Sequence, residues 1–403
     1  MTFENAIVLL GKNLQPYHCK RFEIAEGRIE HIERGDEVMQ IDQGAQVIIP
    51  GLINAHTHMG DSFLPDGATG MTLEECFFRP NGYKYRQLAA IDPKKHLPQI
   101  EAHLDYMART GTVCHIDFRE QGLHGSKILR KASQSTGVRS IILGQLNELP
   151  FTPEELKVSE KKLPVESEVE LKKILEVADG FSESTINDLT CPSWRRVREI
   201  TETSGKYRAI HCLENETYRN ESLANTGRPD LERALADLDP HLIIHLTVAN
   251  ATEIKLMVEA KKTGVLNPRA NANLGLSLPP IAKLIGAGVN LLLGTDNGLL
   301  NSPNMFAELD FTYKVAKSQY ADPRKPAPVE ILKMATSNAE AVFGSELPGY
   351  LEVGQPASFV VLDFHQPHLR RSRNLHASIL TRVTPADIIA TYHTGKPIFE
   401  KAT

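Results

Sequence analysis

From about Ile53 to Gly344 the chain repeats one theme: a short apolar run, a polar knot, then an amphipathic helical pattern. Each repeat reads as a β/α unit. The run "HLIIHLTV" is followed by Asn250 and Glu253, an N-cap with an acidic partner three residues on. Ile254, Met257 and Val258 then share one helical face up to a stop at Gly264, with the next strand starting at Val265. "LLLGTDNGLL" runs into Ser302-Pro303, an N-cap with proline at the first helical position. No G-x-G-x-x-G follows the first strand, so the α/β class expected is a (β/α)₈ TIM barrel and not an open dinucleotide-binding sheet.

The ends differ from the middle. Residues 1–50 hold "AIVLL", "RFEIAEGRIEHI" and "AQVII", and residues 346–403 hold "SFVVLDF" and "IIATYHTGKPIFE", all short alternating strands with glycine turns. The reading is a small β-sandwich domain assembled from both termini (1–50 and 346–403) around a barrel spanning 51–345. A chain of 403 residues has the length for both. A net charge of −5 without a long basic block argues against nucleic acid or a membrane surface as partner, and leaves a small-molecule substrate, with homo-oligomerisation open. No apolar stretch approaches the roughly 20 residues of a membrane span, and the start "MTFENAIVLLGK" lacks the marks of a signal peptide, so a cytoplasmic protein is expected. Five cysteines without a C-x-x-C pair suggest reduced thiols, so metal binding would use histidine and carboxylate.

"VIIPGLINAHTHMGDS" joins an aliphatic strand to His56 and His58. With Thr57 between them, both rings share one face of a strand, a spacing at which two imidazoles can hold one ion. Three more apolar runs end in similar groups: "YRAIHCLENE" with His211 and Glu214, "LIIHLTV" with His245, and "LLLGTDN" with Asp296. Taken singly, His245 fits a hydrogen-bonded core histidine and Asp296 an N-cap or turn residue. In a parallel barrel, however, all strand C-termini open on one rim, where distant residues converge as a ligand set.

The order H-x-H, H-x-x-E, a lone histidine, then Thr-Asp after "GVNLLLG" resembles the amidohydrolase superfamily, in its branch of cytosine, S-adenosylhomocysteine and guanine deaminases and triazine chlorohydrolases. "PGLINAHTH", "GQPASFVVLDF" and "TGKPIFE" are similar to that family's flanking β domain, so the resemblance covers nearly the whole chain. It implies that His56, His58, His211 and Asp296 hold one divalent ion, zinc or ferrous iron, with water as the remaining ligand. Binuclear members bridge two metals with a carboxylated lysine on the fourth strand. The matching stretch "ILEVADGFSESTIND" has no lysine, which implies a single metal. Where many relatives read Cys-Pro-x-Ser-Asn, this chain reads Asn267-Pro268-Arg269-Ala270-Asn271, a departure that bears on the substrate.

The residue types then suggest roles. A divalent ion lowers the pKa of bound water from ~16 to about 7, giving hydroxide for attack at neutral pH. His245 can orient that hydroxide, Asp296 can take its proton, and Glu214 suits proton transfer to a ring nitrogen and the leaving amine, unless it merely steadies His211. Asp117, Arg119 and Glu120 in "HIDFREQ" and Gln145 in "ILGQLNE" end the second and third strands. Asp117, Arg119 and Gln145 are therefore candidate substrate contacts, although Asp117 and Arg119 also fit a structural arrangement around the rim. The segment "GATGMTLEECFFRPNGYKYRQLAA", with Phe77, Phe78, Tyr83 and Tyr85, is long for a βα loop and reads as a lid over a planar ring or a helix packed on the barrel. The function expected is deamination of an amino-substituted heterocycle such as a purine, pyrimidine, pterin or nucleoside. Hydrolysis of a cyclic amide like imidazolonepropionate, or of an aryl chloride, is the alternative on the same site. A non-catalytic metal-binding scaffold is the alternative of another class, which Glu214 and His245 argue against.

Overall fold

The computed structural model describes residues 1–402. Four N-terminal strands, β1 (Thr2–Leu10), β2 (Gln15–Ala25), β3 (Arg28–Glu37) and β4 (Gln46–Pro50), lead into the barrel strands. These are β5 (Leu52–His58), β6 (Thr112–Arg119), β7 (Arg139–Gly144), β8 (Gly180–Phe181), β9 (Tyr207–Cys212), β10 (Leu242–His245), β11 (Thr263–Leu266), β12 (Asn290–Leu293) and β13 (Asp296–Asn297). The chain then returns to the first sheet with β14 (Phe359–Asp363), β15 (Ile388–His393) and β16 (Lys396–Glu400).

The barrel sheet is parallel, in the order β12-β11-β10-β9-β8-β7-β6-β5-β13. Its first and last members are two pieces of one stretch, 290–297: β12 pairs with β11 and β13 pairs with β5, so eight strand positions close into a ring. Asn54 and Thr295 bond across the closure, Asn54 Nδ2 to Thr295 Oγ1 at 2.7 Å and Thr295 N to Asn54 Oδ1 at 3.0 Å. Both residues are fully buried. Replacing Asn54 with Ala strands the buried Thr295 amide, and the expected loss is about 1–3 kcal/mol in a denaturant titration. A Cβ-sized side chain that costs nothing there would show that the seam is closed by other contacts.

Residues alternate across the barrel wall. Ile141 and Leu143, Leu242 and Ile244, and Leu292 pack inside, while Ile142, Ile243, Leu291 and Leu293 meet the helices outside. The terminal strands form one sheet, β16-β15-β14-β4-β1-β2-β3, antiparallel except for β1 beside β4. One face, with Ile7, Leu9, Val47 and Ile49, joins the main core. The other carries its own core of Val8, Phe22, Ile48, Phe359 and Tyr392. Phe3 on β1 lies 6.0 Å from Tyr392 on β15, and Ala357 N, just before β14, donates to Gly27 O between β2 and β3, which shows the sheet curling over that second core. It is thus a single curled sheet that encloses its own apolar layer.

Two local expectations shift. The helix after β10 spans Ala251–Glu259 with the Asn250–Glu253 capping box, but Gly264 lies inside β11 and does not end the helix. A Cβ there would meet Leu246 Cδ1 at 2.6 Å, so the glycine serves strand packing. The helix after β13 starts at Met305, capped by Asn304, whose side chain accepts from Phe306 N and Ala307 N. Ser302-Pro303 precedes it as a turn. All five cysteines are free and buried. Among the described residues no helix is long and apolar enough to cross a membrane.

Candidate active site

Strict alternation does not deliver the histidines. Ile53 and Ala55 face the barrel interior, so Thr57 would follow. A register irregularity between Asn54 and Thr57 brings His56 and His58 there instead, and Thr57 turns outward to donate to Asp117 Oδ2 at 2.8 Å. His211 continues the inward face of Ala209. His245 follows the interior Ile244, and a φ of 79° turns its ring inward; Asp296, at the end of the last strand, has φ 63°. Non-glycine residues in this region carry strain of about 1–3 kcal/mol, a cost found at functional positions. Gly294 admits His56, since a Cβ there would meet His56 Cβ at 2.5 Å.

The result is a tight cluster. His56 Nε2 lies 3.1 Å from Asp296 Oδ1 and 3.3 Å from His211 Nε2, and His58 Nε2 is 3.5 Å from Asp296 Oδ1. The candidate ligand atoms of His56, His58 and His211, and those of His56, His245 and Asp296, each lie within 4.8 Å of one another. His58 Nδ1 faces two acceptors, Phe118 O at 3.0 Å and Glu120 Oε1 at 2.8 Å, and His211 Nδ1 faces Glu183 O at 3.3 Å. Both rings therefore carry their proton on Nδ1 and turn a bare Nε2 into the cluster. Burial pushes His56 down to about 4 and His245 down to about 3, and holds His211 well below the ordinary imidazole value, aided by the neighbouring rings. Burial alone would raise Asp296, but His56 beside it holds the carboxyl well below the usual range. Neutral imidazoles and an ionised carboxylate, with lone pairs converging and no proton to share, fit a divalent transition metal of borderline softness. Around the cluster the carboxyls of Asp296, Glu120 and Asp61 face two buried cations, Lys84 and Arg119, both of them on Glu120. Among the described residues Asp296 itself therefore has no cationic side chain beside it, and a divalent ion would supply that charge.

Glu214 and His245 stand beside this cluster. His245 Nε2 lies 3.5 Å from Glu214 Oε1, and the Asn267 and Asn271 amides each stand 3.3 Å from His245 Nδ1, fixing the ring's rotation. The unusual Asn267-Pro268-Arg269-Ala270-Asn271 stretch thus holds His245. Burial, then the charges of Asp296 and Glu74, push Glu214 up to about 8, so that it holds a proton at neutral pH. Leu73, Phe77, Lys84 and Tyr85 from residues 66–90 cover the cluster, leaving a cavity of about 30 Å³. Phe78 stacks on Tyr218 with centroids 5.0 Å apart, and Tyr83 packs into a small apolar group beside it.

Asp117 and Arg119, expected to face substrate, do not reach this cavity. Asp117 accepts from Thr57 Oγ1 and from Met59 N at 2.7 Å, and thereby ties β5 to β6. Arg119 is fully buried; Nε donates to Gly125 O at 3.0 Å, and the remaining nitrogens serve Glu120 and Gln121. The reason is the pleat: Ile116 and Phe118 take the interior face, which sends Asp117 and Arg119 outward. Gln145 stands one layer back, donating to Ser184 Oγ at 2.9 Å, and Ser184 lines the cavity together with Tyr85. Lys84, Tyr218 and Ser184 have no signal in the sequence, for they occupy loops and helices without a strand-end signature, whereas Asn297 follows Asp296 on β13.

Comparison with known proteins settles the family. The amidohydrolase family pattern matches residues 47–398. The chain belongs to the amidohydrolase family. A protein of Methanothermobacter thermautotrophicus, provisionally named an aminohydrolase, is 33% identical over 398 residues, 98% of each chain. A 5-methylthioadenosine/S-adenosylhomocysteine deaminase of Caldanaerobacter subterraneus subsp. tengcongensis is 28% identical, over 98% of this chain and 93% of its own. The zinc-bound adenosine deaminase structure from Xanthomonas campestris superposes with a TM-score of 0.82 at 20% identity, covering 98% of this chain and 92% of the other. This amidohydrolase is accordingly a hydrolase of carbon–nitrogen bonds other than peptide bonds, built on the barrel its strand order expresses.

Proposed function

We propose that this amidohydrolase is a mononuclear aminohydrolase that replaces an exocyclic amino group of a planar nitrogen heterocycle with oxygen. The observation that carries the reading is Glu214: a buried, proton-bearing carboxyl beside His245, in the cavity but outside the tight ligand cluster. His56, His58, His211 and Asp296 would hold the metal. When bound, a divalent ion supplies a water acidic enough to attack at neutral pH. His245 Nε2 orients the attacking oxygen, and Asp296 takes the first proton. Glu214 protonates the ring nitrogen next to the attacked carbon and takes the proton from Asp296, which returns to its carboxylate. As the added hydroxyl becomes the carbonyl, its proton passes to the amine, so the carbon–nitrogen bond breaks with Glu214 again protonated. Ammonia leaves. The deaminase names among the relatives support an amine as leaving group and a purine-type ring.

Protein reconstituted with excess zinc and desalted is expected to retain about one ion per chain, the count that one cluster of this kind takes. Two equally tight ions would overturn the mononuclear reading. Screening that preparation against purines, pterins, pyrimidines and triazines for ammonia release tests the reaction; release of chloride with no ammonia from any amine would overturn it.

A further inference from the structure

Lys84 is 1% exposed although it belongs to the helix Tyr83–Ala90 of the covering segment. Its ammonium contacts Glu120 Oε1 and lies 3.6 Å from Asp61 Oδ2. Those two carboxylates look to opposite edges of the cluster. Glu120 accepts from His58 Nδ1, while its other oxygen takes Arg119 at 3.2 Å. Asp61 accepts from Asn297 Nδ2 at 2.7 Å and from Leu299 N at 3.3 Å, just beyond Asp296. One side chain of the cover therefore reaches both the first and the last strand of the site.

The cover's other attachments reach neither of these carboxylates. Its apolar packing is a satellite group of Ala68, Cys76, Ala270, Leu299 and Leu300, separate from the barrel core. Beyond that it is held by Arg79 on Glu183 and Leu146 O, Tyr85 on Ser184, the Phe78–Tyr218 stack and Gln121 on Leu88 O. A cavity of about 30 Å³ has room for about one water, whereas pockets for drug-sized ligands run to about 300–1,000 Å³. Residues 66–90 must therefore move out for a heterocycle to enter, and that movement withdraws the ammonium from two buried carboxylates.

Resting on the metal reading above, we propose that Lys84 is a positioning residue that couples closure of residues 66–90 to metal binding, through Glu120 on His58 and Asp61 on the Asn297 edge. With the cover shut, the Lys84 ammonium holds Glu120 Oε1 in place against His58 Nδ1, which keeps Nε2 toward the cluster. With the cover open, Glu120 Oε1 loses its ammonium, Arg119 remains on the other oxygen alone, and the carboxylate facing His58 is held from one side only. By linkage, an ion that needs His58 in place favours the shut cover to the same degree.

Hydrogen exchange of the full-length apoprotein, with and without zinc ion as the probe, tests this. In the wild type, zinc is expected to slow amide exchange across residues 66–90 by about tenfold or more. Lys84→Met should abolish that slowing and weaken zinc binding by about 10–100-fold, the range for losing a group that orients a ligand. Glu120→Gln should uncouple the cover in the same way, and Lys84→Arg, which keeps the charge, should restore most of it. A Lys84→Met protein with wild-type zinc affinity and an intact slowing would overturn the proposal. So would exchange that rises equally in β9–β11, because the residue would then serve only the fold. A wild-type chain that binds no zinc would overturn the metal reading itself, a distinct result.

Discussion

Alanine in place of His56, His58, His211 or Asp296 is expected to abolish turnover and strip the metal, while the barrel survives. Each supplies an atom to a cluster in which His56 lies 3.1 Å from Asp296 and 3.3 Å from His211, and His58 lies 3.5 Å from Asp296, so removing one leaves too few donors to fix a divalent ion. Asp296 also carries the buried negative charge that faces the imidazole Nε2 atoms, and its loss removes both a ligand and the electrostatic pull on the cation. Stability should fall little, and in places rise. Without the ion these buried polar atoms crowd one another with few partners, and the apolar layers of the wall lie below them. The measurement is metal content by elemental analysis beside thermal unfolding of the metal-free proteins. A His58→Ala enzyme that keeps full activity would remove it from the metal centre; a large drop in metal-free stability would mean that the cluster is a structural plug.

Glu214→Gln is expected to cut turnover by roughly 10²–10⁴ with metal content near wild type, the range for losing a positioned general acid–base. Glutamine keeps the shape and can still hydrogen-bond near His245, but cannot pass a proton. The basis is the environment of the carboxyl: burial and the Asp296 charge push it up to about 8, which keeps it protonated at neutral pH and able to donate. A ligand role would instead show as lost metal, and a prop for His211 as lost stability. Measuring rate, metal and melting temperature on one preparation separates the three. Unchanged turnover would show that another group moves the proton, and the deamination mechanism would have to be abandoned.

The cover explains why substrate identity is harder to read than chemistry. Phe77, Tyr85, Tyr218 and Ser184 line the shut cavity, yet they come from a βα segment, a strand-end loop and a helix whose sequences carry no shared spacing. Gln145 was found from its place after β7, but it reaches the cavity only through Ser184. Arg119 is a candidate substrate contact by the same logic, but its guanidinium is spent on Gly125, Glu120 and Gln121.

What the sequence determined by itself is what repeats or alternates locally. Apolar runs separated by helical patterns require a parallel α/β sheet, and polar residues at the ends of those runs must gather on one rim, because strand direction is shared. His56, His58, His211, Glu214, His245 and Asp296 were legible on that ground. What only the tertiary structure decided is which way a side chain points where the pleat breaks. The irregularity in β5 and the left-handed backbone at His245 turn rings inward that a regular strand would send out, while unbroken alternation in β6 turns Asp117 and Arg119 away. Lys84 is the extreme case. Nothing near it in the chain marks a lysine as buried, and its place between Glu120 and Asp61 exists only because residues 66–90 fold back over the barrel mouth, a long-range ion pairing that no local pattern encodes.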